Sequence, residues 1–420
     1  MGKTLFRREN YLKKIRPFYD SAELIKVFTG VRRCGKSSIM QLICDEILQK
    51  GVKEENIIYI NLDKRPYIGV DTKEKLETVL SEKLDAVSGF KYLFLDEIQN
   101  VKGFEVVLNA FREDGDVSIF ITGSNSYLLS GELVTKLTGR YIEFEINPLS
   151  FSEWIHMKAF LNKEIKSDIT EEFNEYILDG GFPYSLYLPT KEAKDMYIKE
   201  LIHEIFEKDI KKNRKIRDRH LFEQIEQYMI NNFGATTSVD HICTFLKGIN
   251  GSAPSKKTVY SYLRILENAK IIQRCQRFDL KSKKSLLGEE KYYLTDLSFY
   301  FSTNNDRRIN YGPVLENVVY NYLKFKGYQL SIGRIGKLEV DFIARKDEEY
   351  SYVQVAMTIH GSKTNEDGIP YAEEREYRSL EAIQDNYPKY VLTLDSLLQK
   401  RNGIIHENII KMMIDAENAS

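Results

Sequence analysis

Ile25-Lys26-Val27-Phe28-Thr29-Gly30-Val31-Arg32-Arg33-Cys34-Gly35-Lys36-Ser37 is the stretch on which the reading of this 420-residue chain turns. An apolar run ends at Gly30, a helical pattern opens at Lys36, and the residues between fit G-x-x-x-x-G-K-[ST]. In that context the spacing has a mechanism. Backbone N–H groups from Arg33 to Ser37 would face a concave nest at a helix N-terminus, where the dipole favours phosphate. Gly35 lets the backbone approach closely, Lys36 would reach the β- and γ-phosphates, and the Ser37 hydroxyl would ligate Mg²⁺. Gly30, Arg33, Cys34, Gly35, Lys36, Ser37 and Ser38 are the candidate nucleotide-binding residues, with ATP and Mg²⁺ as ligands. Arg32 and Arg33 either face the phosphates or anchor neighbouring segments.

About sixty residues after Lys36, the apolar run Tyr92-Leu93-Phe94-Leu95 ends in Asp96-Glu97. At that separation Asp96 is the candidate metal residue beside Ser37, and Glu97 the candidate to orient or deprotonate an attacking water. The next strand ends Ile121-Thr122-Gly123-Ser124-Asn125. Ser124 and Asn125 are candidates to bond the γ-phosphate or the water, against the plainer reading of a strand-terminating turn. Arg140, just before a fifth strand, is either an arginine finger, in cis or across a subunit boundary, or a surface salt-bridge residue.

The surrounding pattern predicts an α/β unit with a parallel sheet. Strands are expected at Leu24 to Thr29, Ile57 to Asn61, Tyr92 to Leu95, Val117 to Thr122 and Tyr141 to Ile146. Helices are expected near Ser37 to Lys50, Lys73 to Val87 and Phe104 to Glu113. Ser118-Ile119-Phe120-Ile121 suits a strand covered on both faces. From Phe151 the pattern turns helical, broken at Gly180-Gly181-Phe182-Pro183, where a helix cannot continue. Residues 217–300 read as three helices, the third opening at Ser255, then strands at Ile271 to Asp279 and Lys291 to Thr295 around the turn Lys281-Ser282-Lys283-Lys284. That is the order of a winged helix. A helix from Tyr311, strands at Glu339 to Ala344 and Tyr352 to Thr358, and a strand at Lys389 to Leu394 follow.

G-x-R-R-x-G-K-S, L-D-E-I-Q, T-G-S, L-x-G-R followed by Pro148-Leu149-Ser150-Phe151, and G-G-F-P occur in one order. Together they resemble a prokaryotic family of AAA-type ATPases whose C-terminal half is a domain of unknown function resembling a PD-(D/E)XK restriction-endonuclease fold. The resemblance covers nearly the whole chain. It implies a phosphate-loop strand at the sheet's centre, flanked by the Asp-bearing and sensor strands, and a Pro in a G-x-P element packed on adenine, here Pro183. The expected organisation is a P-loop AAA-type core over residues 1–150, a helical lid over 151–215, a winged-helix domain over 216–303, and an α/β restriction-endonuclease-like domain over 304–420.

Net charge is -1 overall, but residues 211–300 carry 17 Lys and Arg against 9 Asp and Glu, a local surplus of 8. Within the winged-helix reading, Lys256 and Lys257 would open the groove-entering helix and Lys283 and Lys284 the wing tip, with Arg274 and Arg277 on the adjacent strand. These either grip double-stranded DNA or, alternatively, that domain closes over nucleotide or packs on a neighbour. In the last segment Glu316, Asp341 and Gln354 follow the helical Glu, strand Asp, strand (E/Q)-x-K order of a two-strand nuclease core. Ala356 stands where the Lys should be, and a methyl cannot offset phosphate charge. A catalytically degenerate site is expected, unless a lysine such as Lys337 or Lys346 enters it.

Hydrophobic residues make up 42% and charged residues 29%, which argues against disordered and collagen-like classes. Cys34, Cys44, Cys243 and Cys275 show no C-x-x-C spacing, so reduced thiols and no zinc site are expected. No run of about 18 apolar residues and no signal peptide occur, predicting a cytoplasmic protein without a membrane span. The expected function is Mg²⁺-dependent ATP hydrolysis coupled to movement of the C-terminal half, with homo-oligomerisation left open. The alternatives are a slow ATP-sensing scaffold for DNA or protein, and an ATP-gated DNA nuclease.

Overall fold

The structure is a computed structural model describing residues 4–123, 137, 139–210, 216–304, 306–361, 363–364 and 370–418. It divides into two compact units: residues 1–148 with 204–212 and 268–270, and the remainder.

In the first unit five strands, β1 (Ile25–Thr29), β2 (Ile57–Asn61), β3 (Lys91–Asp96), β4 (Val117–Thr122) and β5 (Tyr141–Glu145), form one sheet in the order β2-β3-β4-β1-β5. Every pairing is parallel. The phosphate-loop strand β1 therefore lies between β4 and β5. The Asp-bearing strand β3 is not its neighbour, which corrects the expected order, because β4 is inserted between them. β1, β3 and β4 are buried along their whole length, as continuous apolar runs require when both faces are covered. On one face Ile25, Val27, Leu93, Leu95, Ile119 and Ile121 join Leu76 and Leu80 of the helix Lys73–Leu84 and Phe104 and Leu108 of the helix Phe104–Asp114 in one core. On the other, Phe28, Phe94 and Phe120 stack in a row.

The second unit opens with the helix Phe151–Phe160, started by a Ser150/Glu153 capping box. The next helix, Ile169–Asp179, stops at Gly180. A Cβ on Gly180 would meet Asp296 Oδ1 at 2.0 Å, while Gly181 N–H donates to Asp296 Oδ2 at 2.7 Å. The paired glycines of the G-G-F-P element thus let the backbone close on a buried carboxylate. Pro183 starts the 3₁₀ turn Pro183–Tyr187.

Helices Arg219–Asn231, Val239–Asn250 and Lys256–Asn268 accompany strands β6 (Thr236–Thr237), β7 (Ile272–Asp279) and β8 (Lys284–Leu294). β8 begins seven residues before its expected start at Lys291. After the helix Tyr311–Phe325 come β9 (Gln329–Ile335), β10 (Leu338–Lys346), β11 (Glu349–Val355), β12 (Lys389–Thr393), β13 (Lys400–Arg401) and β14 (Ile404–Asn408). A single nine-stranded sheet, in the order β13-β14-β12-β11-β10-β9-β7-β8-β6, runs through residues 236–408. Its join is the parallel pairing of β7 with β9. Among the described residues no helix is long and apolar enough to cross a membrane.

Candidate functional site

Parallel strands deliver their C-terminal ends to one edge, and the helix Lys36–Gln49 begins there. Gly30 has φ 137°, and a Cβ would sit 2.0 Å from the Ile146 carbonyl oxygen, so the loop turns under β5 only with glycine. Arg33 (φ 67°) and Gly35 (φ 108°) are both left-handed, which curls the loop around the helix start. Buried Arg8 fastens the loop from beneath, donating to the carbonyls of Cys34 (3.2 Å) and Asn147 (2.8 Å). Cys34 is fully buried and its thiol is pushed up by that burial, so it packs behind the loop.

Lys36 Nζ donates to the Gly30 and Val31 carbonyls at 2.8 and 3.1 Å. Ser37 Oγ donates to Asp96 Oδ1 at 3.1 Å, so the loop hydroxyl and the strand carboxylate do meet. Asp96 is 1% exposed. Its Oδ1 also accepts from Thr122 Oγ1, and its Oδ2 accepts from Tyr59 Oη (3.0 Å) and Asn61 Nδ2 (2.8 Å). All four donors are neutral. Burial, then the Asp96 charge, pushes the Tyr59 phenol up and keeps it a donor. A hydroxyl and a carboxylate side by side are the hard oxygen donors that suit Mg²⁺, which takes its remaining ligands from phosphate and water.

Glu97 follows with φ 62°, a strained left-handed conformation for a non-glycine residue. Its N–H donates to Thr122 Oγ1 at 3.1 Å, and its carboxylate accepts from Gln99 Nε2. Thr122 therefore bridges both acids. Sequence reasoning missed it and named Ser124 and Asn125, which lie outside the described residues. The register could have found it: Leu95 pairs with Ile121, which brings Thr122 level with Asp96, and Asn61 pairs directly with Asp96. Gly30, Arg33, Gly35, Lys36, Ser37, Ser38, Asp96 and Glu97 all line one cleft of about 370 Å³, within the ~300–1,000 Å³ usual for small-molecule sites.

Arg140 is not part of it. Its carbonyl accepts from Ile25 N–H at the start of β1, while the phosphate loop follows that strand's other end, five residues or roughly 16 Å away. The guanidinium donates to Asn109 Oδ1 at 3.0 Å and lies 4.0 Å from Glu113. The residue thus sits before β5, at the end of the sheet away from the phosphate loop. Arg32 and Arg33 take the anchoring alternative. Arg32 makes a two-pronged bond to Asp209 (3.1 and 2.8 Å) and Arg33 bonds Glu204 at 3.1 Å, both partners being far away in sequence.

In the second unit Glu316, Asp341 and Gln354 also come together. Gln354 Oε1 accepts from Asp341 N–H at 3.4 Å, and Val355 N–H donates to Asp341 Oδ2 at 2.8 Å. The cation among them is Lys291 of β8, rather than Lys337 or Lys346. Its ammonium lies 2.8 Å from Glu316, 3.0 Å from Glu339 and 3.9 Å from Asp341. Along the sheet β8 stands three places from β10, so the Lys291 contacts join strands that are not neighbours. Burial alone would push the ammonium down, but Glu316, Asp341 and Glu339 outweigh it and hold it up. Burial, then the Glu316 charge, drives the Asp341 carboxyl well up.

Of the basic residues, Lys257, Lys281, Lys283 and Lys284 are exposed, and Lys256, also exposed, pairs with Asp240. Arg277 is corrected: it is 8% exposed and bound to Glu289 (2.9 Å) and Glu339 (2.6 Å), and so unavailable to a groove.

Residues 22–155 match the model of an AAA domain, and residues 170–307 that of a domain of unknown function. An uncharacterized protein of Haemophilus influenzae is 33% identical over 94% of both chains. An uncharacterized protein of Methanocaldococcus jannaschii is 31% identical over 93% of this chain and 84% of its own. Among solved structures, the Walker-type ATPase PABY2304 of Pyrococcus abyssi superposes with a TM-score of 0.50 at 17% identity, covering 71% of this chain and 95% of its own. That likeness concerns the fold alone. The chain belongs to the family of these bacterial and archaeal relatives, and it carries an AAA domain with a P-loop fold over residues 22–155.

Proposed function

We propose that the protein is a Mg²⁺-dependent ATP hydrolase whose nucleotide state moves its C-terminal half. The observation that carries this is the convergence of Lys36, Ser37, Asp96 and Glu97 on one cleft at the strand ends. Ser37 and Asp96 would hold Mg²⁺, which supplies charge neutralisation at the phosphates. Lys36 would leave the loop carbonyls for the β- and γ-phosphates, and the N–H groups of Arg33 to Ser37 would take the remaining oxygens. Glu97 would hold and deprotonate the water, its strained backbone aiming the carboxylate into the cleft. Pro183 is read as an adenine contact. Arg140, which lies away from the cleft in its own copy, would act as an arginine finger from a second copy of the chain.

Calorimetry on the full chain is expected to give ATP binding that Lys36→Ala abolishes. Glu97→Gln should still bind ATP while its steady-state hydrolysis falls to background. Undiminished hydrolysis by Glu97→Gln would remove that residue as the base.

A second reading concerns DNA. We read residues 216–303 as a winged helix and 304–420 as a restriction-endonuclease-like domain, of degenerate chemistry because the lysine that does enter its site, Lys291, is already paired with Glu316 and Glu339. Lys256, Lys257 and Tyr260 on the helix Lys256–Asn268, with Lys283 and Lys284 on the hairpin turn, are exposed, which supports a phosphate-contacting face. Each phosphate neutralised would steepen the salt dependence by about 0.9 in log affinity per log salt. Stimulation of ATP turnover by duplex favours a DNA-acting machine, whereas indifference favours an ATP-sensing scaffold.

A further inference from the structure

The segment after the helix Lys191–Ile205 is not continued as an α-helix. Residues Phe206–Ile210 form a π-helical turn, a form that is rare and concentrates at functional sites. In an α-helix Asp209 would point about 140° away from Glu204. The wider i→i+5 turn brings Glu204, Lys208 and Asp209 to one side, against the phosphate loop. All three line the same cleft as Lys36 and Ser37.

The ion pairs there differ in strength. Arg32 and Asp209 form a bidentate pair with side chains 13% and 9% exposed, the geometry that holds best. Glu204 is shared: it accepts from Arg33 at 3.1 Å and from Lys208 at 2.8 Å, and lies 3.8 Å from Arg32. The Lys208–Glu204 pair is an i,i+4 surface pair with a 53% exposed lysine, a contact of little net worth. A flexible ammonium so weakly held is free to exchange Glu204 for a phosphate oxygen, while Arg32–Asp209 keeps the turn in place. Arg32, Lys208 and Asp209 line the cleft together with Glu97, the residue proposed to hold the attacking water beside the terminal phosphate.

We propose that Lys208 is a nucleotide-binding residue that contacts the terminal phosphate of ATP from the π-helical turn, with Asp209 as the positioning residue that holds the turn to Arg32. This rests on the reading of the cleft as an ATP site and names a ligand residue about 170 positions from the loop.

The test is calorimetric titration of the full chain with Mg-ATP and Mg-ADP. Lys208→Met is expected to weaken ATP about tenfold, the loss of one charge-assisted bond, and to change ADP by less than about threefold. Lys208→Arg should retain ATP affinity within about threefold, and Asp209→Asn should reproduce the ATP-selective loss in part. Wild-type ATP affinity in Lys208→Met, or an equal loss for ATP and ADP, overturns the assignment. Absence of ATP binding by the wild-type chain would instead sink the nucleotide reading itself, and Lys36→Ala is the control separating the two failures.

Discussion

Asp96 and Asp341 are both buried strand aspartates, and their surroundings satisfy them in opposite ways. Asp96 takes bonds from Ser37, Thr122, Tyr59 and Asn61, none of them charged. Asp341 shares its pocket with Glu316 and a lysine ammonium. Neutral donors orient a carboxylate without cancelling its charge, so the Asp96 site keeps its attraction for an arriving cation. The Asp341 cluster carries its counterion already. One acid is poised for an external ligand, and the other is closed upon itself.

The sharpest way to break this contrast is Lys291→Met. Removing the internal counterion leaves Glu316, Asp341 and Glu339 facing each other, and breaking such a buried pair costs about 3–5 kcal/mol. Urea denaturation followed on the second unit should show that loss at neutral pH, with partial recovery in acid as the carboxylates take up protons. A stable Lys291→Met protein at pH 8 would mean that the cluster does not depend on its lysine.

A second buried lysine sharpens the contrast from the other side. Lys26 on β1 is fully buried and donates to the Ser21 carbonyl (2.6 Å) and Ser118 Oγ (2.7 Å). Burial pushes its ammonium from 10.5 down to about 7, offset only in part by Asp20. Between about pH 7 and 10.5 the unfolded chain holds the proton that the folded chain has released, so stability of the first unit should rise with pH across that window. The full gain is at most about 5 kcal/mol, and Lys26→Met should flatten the profile. A wild-type profile already flat over that range would overturn the shift.

The smallest expected effect is at Thr122. Thr122→Val removes a donor to Asp96 and an acceptor for Glu97 N–H at nearly constant volume, costing about 1–2 kcal/mol. It should weaken Mg-ATP more than metal-free ATP, because Asp96 loses one of the bonds that aim it. Equal weakening of both would leave Thr122 a purely structural residue.

The first unit was legible because its information is local. A strand that is buried on both faces reads as an apolar run, and β1 to β5 fall within a residue or so of their expected bounds. The loop motif named Lys36 and Ser37, and spacing named Asp96. Thr122 and Asn61 were hidden since strand register does not show in the order of residues. Lys291 was hidden more deeply. Its partners stand on a strand three places away in the sheet and on the helix Tyr311–Phe325, a neighbourhood that no local pattern shows. Glu204 and Asp209 were missed because a π turn leaves no periodicity to read. β8 was expected short because its charged residues Lys284 and Glu289-Glu290 imitate a loop, whereas an exposed hairpin tolerates them. β9, with Gly333 near its centre, carried too little β-propensity to be seen.

The β7–β9 pairing has a practical consequence for dissecting the molecule. A fragment that begins near residue 304 would present β9 with a bare row of amide and carbonyl groups, and one ending near 303 would do the same with β7. Raw edges of that kind recruit other chains. Soluble pieces are therefore to be sought by cutting before residue 236 and by keeping the helix Ile409–Asn418, which follows β14 without a loop.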